Sequence, residues 1–140
     1  MAYDPDNVFA KILRGELPSH KVLEDDWTLA FMDVMPQTKG HTLVIPKSPA
    51  ENIFELPEDI LTATVASTRR VAMAVKAAFQ PPGIMIGQLN GLMAGQTVFH
   101  MHFHIIPRYE ASGFRFQGAP LADAEVLANH AKAIRAHIGD

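Results

Sequence analysis

The 140-residue sequence contains no cysteine, so disulfide bonds and thiolate metal sites are excluded. Long apolar runs are also missing, since no stretch reaches the roughly 20 residues that a helix needs to cross a bilayer. The first ten residues are polar and acidic and lack the basic-then-apolar pattern of a signal peptide. We therefore expect a cytoplasmic protein with no membrane partner.

The sequence has few positively charged residues. The 12 Lys and Arg residues are outnumbered by 15 Asp and Glu residues, and the formal net charge is −3. No basic cluster exceeds the pair Arg69 and Arg70. Nucleic-acid binders usually present a basic stripe, because neutralising phosphates supplies most of their affinity. We therefore expect no nucleic-acid partner, although backbone amides and neutral side chains can still hold a small phosphate ligand.

Repeats, low-complexity tracts and Gly/Ser linkers are absent from the sequence, which predicts a single domain over residues 1–140. Hydrophobic periodicity and capping residues predict helices over 6–14, 57–79 and 121–138, and strands over 20–25, 28–33, 41–46, 83–89 and 97–107. Neighbouring strands without helical crossovers indicate an antiparallel sheet. The predicted fold class is α+β, with about five strands, the long helix packed on one face and a C-terminal helical extension. The expected core face of the long helix consists of Leu61, Val65, Ala72, Val75 and Phe79.

Seven histidines are many for this length, and three of them alternate within one predicted strand. Because successive side chains of a strand point to opposite faces, His100, His102 and His104 should share one face. The apolar residues between them should face the core under the long helix. Burying three imidazoles on one face costs desolvation free energy. We therefore interpret this face as functional.

Three uses of this face fit the residues. The first is a hydrogen-bonded histidine cluster without chemistry. The second is a metal site, with His41 as the third ligand that a catalytic zinc usually requires. The third is nucleophilic catalysis on phosphorus. For that, one imidazole nitrogen must be unprotonated and aimed at the phosphate while the other donates to a fixed acceptor.

Residues 96–108 resemble the signature of the histidine triad (HIT) family, His-x-His-x-His-x-x with a hydrophobic residue at every x. Residues 7–33 are similar to the family's N-terminal helix and first two strands, and residues 38–47 to its next strand. The Gly-rich stretch 90–96 falls where the family has its phosphate-proximal loop. The resemblance covers about residues 5–109 and is greatest to the Hint-like branch and its bacterial relatives.

The resemblance implies a hydrolase that acts at the α-phosphate of a purine nucleotide. His102 would attack phosphorus and form a nucleotidyl-histidine intermediate that water then hydrolyses, while the backbone carbonyl of His100 would hold the other ring nitrogen. Neutral groups around the phosphate and bridging oxygens would be His104, His41, Asn90, Gln96 and Thr97, with the Thr97 hydroxyl near the leaving group. Asp33 would accept from the ribose hydroxyls. The purine slot would be formed by Val8, Phe9, Phe31, Val34 and Leu43.

The resemblance leaves the substrate open. The Hint-like branch implies nucleoside 5′-phosphoramidates or aminoacyl-adenylate-like compounds. The Fhit branch implies dinucleoside polyphosphates instead. A third alternative is a regulatory module that binds an AMP-type purine nucleotide and hydrolyses it only incidentally.

Many bacterial relatives hold a structural zinc through a Cys-x-x-Cys near the N-terminus and a later histidine. The corresponding positions here are Asn7, Ala10 and Pro49, so we expect no metal, and the reaction implies no cofactor. Residues 110–140 resemble the C-terminal extension of the bacterial members. The family pairs two subunits through the helix at 57–79 and a sheet edge, which implies a homodimer.

Overall fold

The structure, a computed structural model, describes residues 2–111 and 119–139. The helices are α1 (Val8–Leu13), α2 (Glu58–Phe79) and α3 (Ala124–Arg135), and the strands are β1 (Lys21–Glu24), β2 (Thr28–Met32), β3 (Thr42–Pro46), β4 (Gly83–Gln88) and β5 (Phe103–Arg108). The predicted α+β class, with a five-stranded antiparallel sheet, is confirmed. None of the described helices is both long enough and apolar enough to span a bilayer.

The strands form one antiparallel sheet in the order β1–β2–β3–β5–β4. After β3 the chain passes through α2, forms the edge strand β4 and returns as β5 between β3 and β4. This insertion aligns Thr42 with Ile105 and Leu43 with His104. His41, one residue before β3, therefore lies beside the histidine segment at the start of β5.

Helix α2 covers one face of the sheet. It begins after Pro57, with Glu58 and Asp59 at the positive end of its dipole. It ends where Gln80 adopts a left-handed conformation, with φ 50°. Its buried residues are Thr64, Ser67, Thr68, Val71, Ala72, Ala74 and Val75.

The buried face of α2 is more polar than the sequence predicted. Val65, expected in the core, is 49% exposed. The hydroxyls of Thr64 and Thr68 are buried instead, and each donates to the carbonyl four residues earlier. Ser67 shares a 2.8 Å hydrogen bond with Thr28 on β2. Because these short side chains are satisfied locally, the helix can lie close to the sheet.

Apolar side chains pack on both faces of the sheet because successive residues of the central strands alternate between them. The cluster under α2 and α3 includes Val44, Val71, Val75, Ile105, Leu127, Ala131 and Ile134. The cluster under α1 consists of Phe9, Leu29, Phe31, Leu43 and Ile45. Burying each large side chain contributes about 1.5–3 kcal/mol. Helix α1 has only 6 residues, so it covers only part of its face.

The fifth strand is shorter than predicted. The sequence indicated a strand over 97–107, but β5 begins at Phe103, so His100 and His102 lie in irregular backbone. Pro46 ends β3 and has no N–H to continue the ladder. Its carbonyl instead accepts from the ring of His100. This hydrogen bond ties the His100 ring to the end of β3.

The terminal helices also differ from the prediction at their ends. The last helix, expected over 121–138, is capped by Asp123 and covers Ala124–Arg135. The first helix is capped by Asn7, whose side chain accepts from the amide of Ala10. Residues 112–118 of the expected extension lie outside the described residues.

Candidate active site

A cavity of about 530 Å³ opens between α1, the β2–β3 connection and the segment before β5. Its size is typical of small-molecule sites. It brings together most of the predicted site residues: Val8, Phe9, Phe31, Asp33, Val34, Leu43, Thr97, His102 and His104. Ile12, Leu17 and Val98 also line it. None of these three was predicted to line the site, because apolar residues in a helix or a loop are usually part of the core.

Hydrogen bonds determine the tautomer of His102. Its Nδ1 lies 2.7 Å from the backbone carbonyl of His100, which can only accept, so Nδ1 carries the proton and Nε2 keeps its lone pair. The ring packs edge-on against Phe9, with centroids 4.9 Å apart. Burial, with a smaller contribution from His104, lowers the pKa of His102 to about 3. His102 is therefore a neutral, oriented imidazole at neutral pH.

His100 lies behind the cavity and does not line it. Its Nε2–H donates to the Pro46 carbonyl at 2.7 Å, and its Nδ1 accepts from the Tyr3 hydroxyl at 2.6 Å. The side chain is fully buried, and burial lowers its pKa. The expectation that all three imidazoles share one functional face is thus wrong for the His100 ring, whereas its backbone carbonyl contacts His102 as the resemblance implied. Tyr3 was missed because nothing in the sequence connects it with a residue 97 positions away.

His41 and His104 form a second oriented pair. The backbone N–H of Gln37 donates to His41 Nδ1 at 3.0 Å, so the proton of His41 is on Nε2. That proton points to His104 Nδ1 at 3.0 Å and lies near Asp33 Oδ2 at 3.4 Å. The neutral His104 ring therefore carries its own proton on Nε2.

Burial controls the charges of this group. It lowers the pKa of both His41 and His104 to about 4, and each ring is further disfavoured as a cation by another histidine. Burial raises the pKa of Asp33 to about 6, against a hydrogen bond from the amide of Met35 that lowers it. At neutral pH the site therefore holds neutral imidazoles and one carboxylate.

Gln96 and Asn90, which the family resemblance assigned to the phosphate, are not among the residues that line the cavity. Gln96 Nε2 donates to the carbonyls of Glu51 and Val98, and its Oε1 accepts from the amide of Gly91. This loop has no strand partner, so a buried side-chain amide satisfies its backbone groups instead.

Asn90 holds the same loop on its other side. Its Oδ1 accepts from the amide of Ile53, and its amide group pairs with that of Gln88. Thr97, by contrast, is exposed on the cavity rim. Of Asn90, Gln96 and Thr97, only Thr97 lines the cavity.

Three of these side chains could also hold a divalent cation. One ligand atom each from Asp33, His41 and His104 lies within 4.8 Å of the others, and carboxylate and imidazole are ordinary zinc ligands. The structural zinc of relatives would need thiolates, which the chain lacks. Of the corresponding residues, Asn7 is occupied as the cap of α1 and Ala10 is buried.

Residues 14–111 match the family model described as the HIT domain. The chain is 45% identical over 108 residues to Protein hit of Bacillus subtilis, covering 76% of this chain and 74% of that protein. It is 33% identical over 118 residues to a Saccharomyces cerevisiae protein named adenosine 5′-monophosphoramidase, covering 84% of this chain and 72% of that protein.

Solved structures agree with these sequence relationships. A Hit-like protein from Bartonella henselae, described as involved in cell-cycle regulation and solved with an unknown ligand, superimposes with a TM-score of 0.92 and 45% identity, over 98% of this chain and 99% of that chain. A zinc-bound histidine triad family protein from Mycobacterium smegmatis gives a TM-score of 0.81 and 30% identity, over 95% and 93% of the two chains. The chain therefore belongs to the HIT family.

Proposed function

We propose that the protein hydrolyses nucleoside 5′-phosphoramidates, and compounds resembling aminoacyl adenylates, at the α-phosphorus of a purine nucleotide. The observation that carries this proposal is the 2.7 Å hydrogen bond from His102 Nδ1 to the His100 carbonyl. It leaves the Nε2 lone pair as the nucleophile on a cavity of nucleotide size. The name of the yeast relative, adenosine 5′-monophosphoramidase, supports the same reaction class.

In the first step, Nε2 of His102 attacks the α-phosphorus and the P–N bond breaks. The leaving amine takes up a proton through the Thr97 hydroxyl, which is open to water. The resulting nucleotidyl-histidine carries a positive charge, which the His100 carbonyl stabilises through Nδ1–H. Two smaller barriers replace one large barrier.

In the second step, water attacks the phosphorus and the bond to His102 breaks. The nucleoside monophosphate leaves, one proton passes to solvent, and His102 returns to its neutral form. No Lys or Arg is among the described residues that line the cavity. Charge on the phosphoryl oxygens is therefore met by preoriented neutral donors, with His104 Nε2–H foremost.

The nucleoside occupies the apolar end of the cavity. Phe9, Phe31 and Leu43 are buried there, while Val8 and Val34 are about half exposed on the rim. This arrangement suits a planar base between apolar side chains. The Asp33 carboxylate, charged above its pKa of about 6, accepts hydrogen bonds from the ribose hydroxyls.

We also propose a homodimer formed through α2 and the edge strand β4. Ile86 on β4 and Met73 and Val65 on α2 are exposed by 49%, 66% and 49%. Pairing two β4 edges would extend the sheet across both subunits and cover these side chains. Sedimentation analysis of the native protein and of an Ile86→Lys variant tests this assignment.

The test of the catalytic proposal is release of AMP from adenosine 5′-phosphoramidate by the native protein and by His102→Ala. We expect turnover by the native protein, loss of at least about 10³-fold in the variant, and no effect of EDTA. His137→Ala, an exposed histidine near the C-terminus, is the matched control and should keep full activity.

Three results would contradict the proposal. Full activity of His102→Ala would show that His102 is not the nucleophile. Preference for a diadenosine polyphosphate would favour the Fhit-type reaction, and tight AMP binding without turnover would favour the binding module.

A further inference from the structure

A second cavity of about 380 Å³ adjoins the nucleotide cavity. The two share Val8, Thr97 and Val98 as lining residues. Thr97, the residue assigned to the leaving group, therefore stands where the cavities meet. A group expelled from phosphorus beside Thr97 would pass directly into the second cavity.

The second cavity is acidic. Asp4 and Asp6 are exposed on its rim, and Glu51 lines it from within. No Lys or Arg is among the described residues that line it. The ion pairs of the described residues lie elsewhere in the fold and involve none of these carboxylates.

Glu51 is the unusual member of this group, because it is only 6% exposed. Its backbone is held by Glu55, which accepts from its amide, and by Gln96, which donates to its carbonyl. Within residues 2–111 and 119–139, no group donates a hydrogen bond to its carboxylate. The described residues also contain no fully enclosed side-chain oxygen that lacks a partner, so the Glu51 carboxylate faces the cavity. The rest of the Glu51 side chain is enclosed by protein, so a cation could approach its carboxylate only from the cavity.

We propose that this cavity selects the leaving group and that its preferred leaving group is an amine carrying a second, positively charged nitrogen. The inference rests on the proposed reaction and deepens it. An ammonium or guanidinium group at the end of a short chain would reach Glu51 while its amine nitrogen, bonded to phosphorus, stays beside Thr97. Asp4 and Asp6 would attract it electrostatically from the rim.

The same charges disfavour the alternative substrates. The group expelled from a dinucleoside polyphosphate is a nucleotide with several negative charges, and three carboxylates would repel it. The cavity therefore separates phosphoramidates of cationic amines from dinucleoside polyphosphates within one active site.

Three adenosine 5′-phosphoramidates of similar size test the proposal. Their amines end in an ammonium, a methyl or a carboxylate group: 4-aminobutyl, pentyl and 4-carboxybutyl. For the native protein we expect kcat/KM to fall in that order, by about tenfold or more at each step, because a charge-assisted hydrogen bond to a buried carboxylate is strong. In Glu51→Gln, which keeps the side-chain shape, the ammonium and pentyl substrates should become nearly equal.

Matched variants distinguish this effect from a general loss of charge. Glu24→Gln removes a carboxylate on β1 that pairs with Lys21 and Lys47, and it should leave the order unchanged. Asp6→Asn alters an exposed rim residue without disturbing the core, and it should weaken the ammonium preference partly. Thermal unfolding midpoints close to that of the native protein show that each variant is folded, and Glu24→Gln should also keep the native rate with the pentyl substrate.

The two proposals fail in different ways. Equal turnover of the three substrates by the native protein overturns the leaving-group assignment and leaves the hydrolase standing. An unchanged ammonium preference in Glu51→Gln overturns it as well. Failure to hydrolyse any of the three overturns the hydrolase and this inference with it.

Discussion

The hydroxyl of Tyr3 donates a 2.6 Å hydrogen bond to Nδ1 of His100, across 97 positions of sequence. His100 uses its other nitrogen on Pro46 and its backbone carbonyl on His102. The N-terminal segment thus orients one histidine, which in turn positions the carbonyl that sets the tautomer of the nucleophile. Tyr3 is a positioning residue for His102.

Replacing Tyr3 by Phe should therefore affect both stability and turnover. A buried nitrogen left without its partner costs about 1–3 kcal/mol, measurable by urea unfolding. We expect kcat to fall by about tenfold, equivalent to about 1.4 kcal/mol, with little change in KM. Tyr109→Phe removes a hydroxyl bonded to the Lys39 carbonyl and should leave kcat intact. An unaltered kcat in Tyr3→Phe would show that Tyr3 does not position His102.

Acidification should destabilise the protein between pH 6.5 and about 4. The folded-state pKa values of His41 and His104 are about 4 and that of His102 about 3, all below the ordinary histidine value of 6.5, so the unfolded chain binds more protons in this window. At pH 5 each of these three shifts lowers the free energy of unfolding by about 2 kcal/mol. Asp33, with its pKa raised to about 6, acts in the opposite direction but is outnumbered.

Thermal unfolding at pH 7.5, 6, 5 and 4.5 measures this dependence. We expect Tm to fall on acidification, with a shallower fall in His104→Asn. In Asp33→Asn at pH 7, removing a buried carboxylate should raise Tm while weakening nucleotide binding. A Tm that rose from pH 7.5 to pH 5 would contradict the buried neutral state of the histidines.

Gln96 and Thr97 should behave oppositely although they are neighbours. Gln96→Ala leaves the backbone partners of its amide unsatisfied, and we expect a loss of about 1–3 kcal/mol in unfolding free energy. Thr97 lies on the exposed rim, so Thr97→Val should change the free energy of unfolding by less than about 0.5 kcal/mol. It should nevertheless lower kcat for a poor leaving amine. Comparing urea midpoints with rates in the two variants separates loop support from chemistry.

Gly40 directly precedes His41 in a tight turn. Its φ of +92° is unfavourable for other residues, and a Cβ there would lie 2.8 Å from the ring of Phe79. Gly40→Ala should therefore destabilise the protein by about 1–3 kcal/mol and reduce activity by displacing His41. Adding Phe79→Leu should restore only the part due to the clash. Full activity in Gly40→Ala would show that His41 does not depend on this turn.

A metal ion should inhibit rather than assist. A cation held by Asp33, His41 and His104 would replace the proton that His41 Nε2 directs to His104. We expect added zinc to lower the hydrolysis rate and EDTA to restore it, whereas EDTA alone leaves the rate of the metal-free protein unchanged. Stoichiometric zinc in the purified protein, with activity lost on chelation, would reverse this assignment.

Local sequence pattern was enough to predict the fold class and the shared side of His102 and His104. Alternating residues around His102 and His104 predicted one polar and one core-facing side, and α2 was predicted within one residue of its observed start and at its observed end. These features depend on backbone periodicity and on caps, which are encoded by neighbours in the sequence.

The tertiary structure decided which polar residues face a ligand and which support the fold. The family resemblance assigned Gln96 and Asn90 to the phosphate, and the structure shows in addition that both bond backbone groups distant in sequence. Nothing in the sequence indicated that Tyr3 reaches His100 or that Glu51 faces a cavity. Periodicity is a local property of the chain. Hydrogen-bond partners and buried charges depend instead on segments distant in sequence that meet only when the sheet and its loops are assembled.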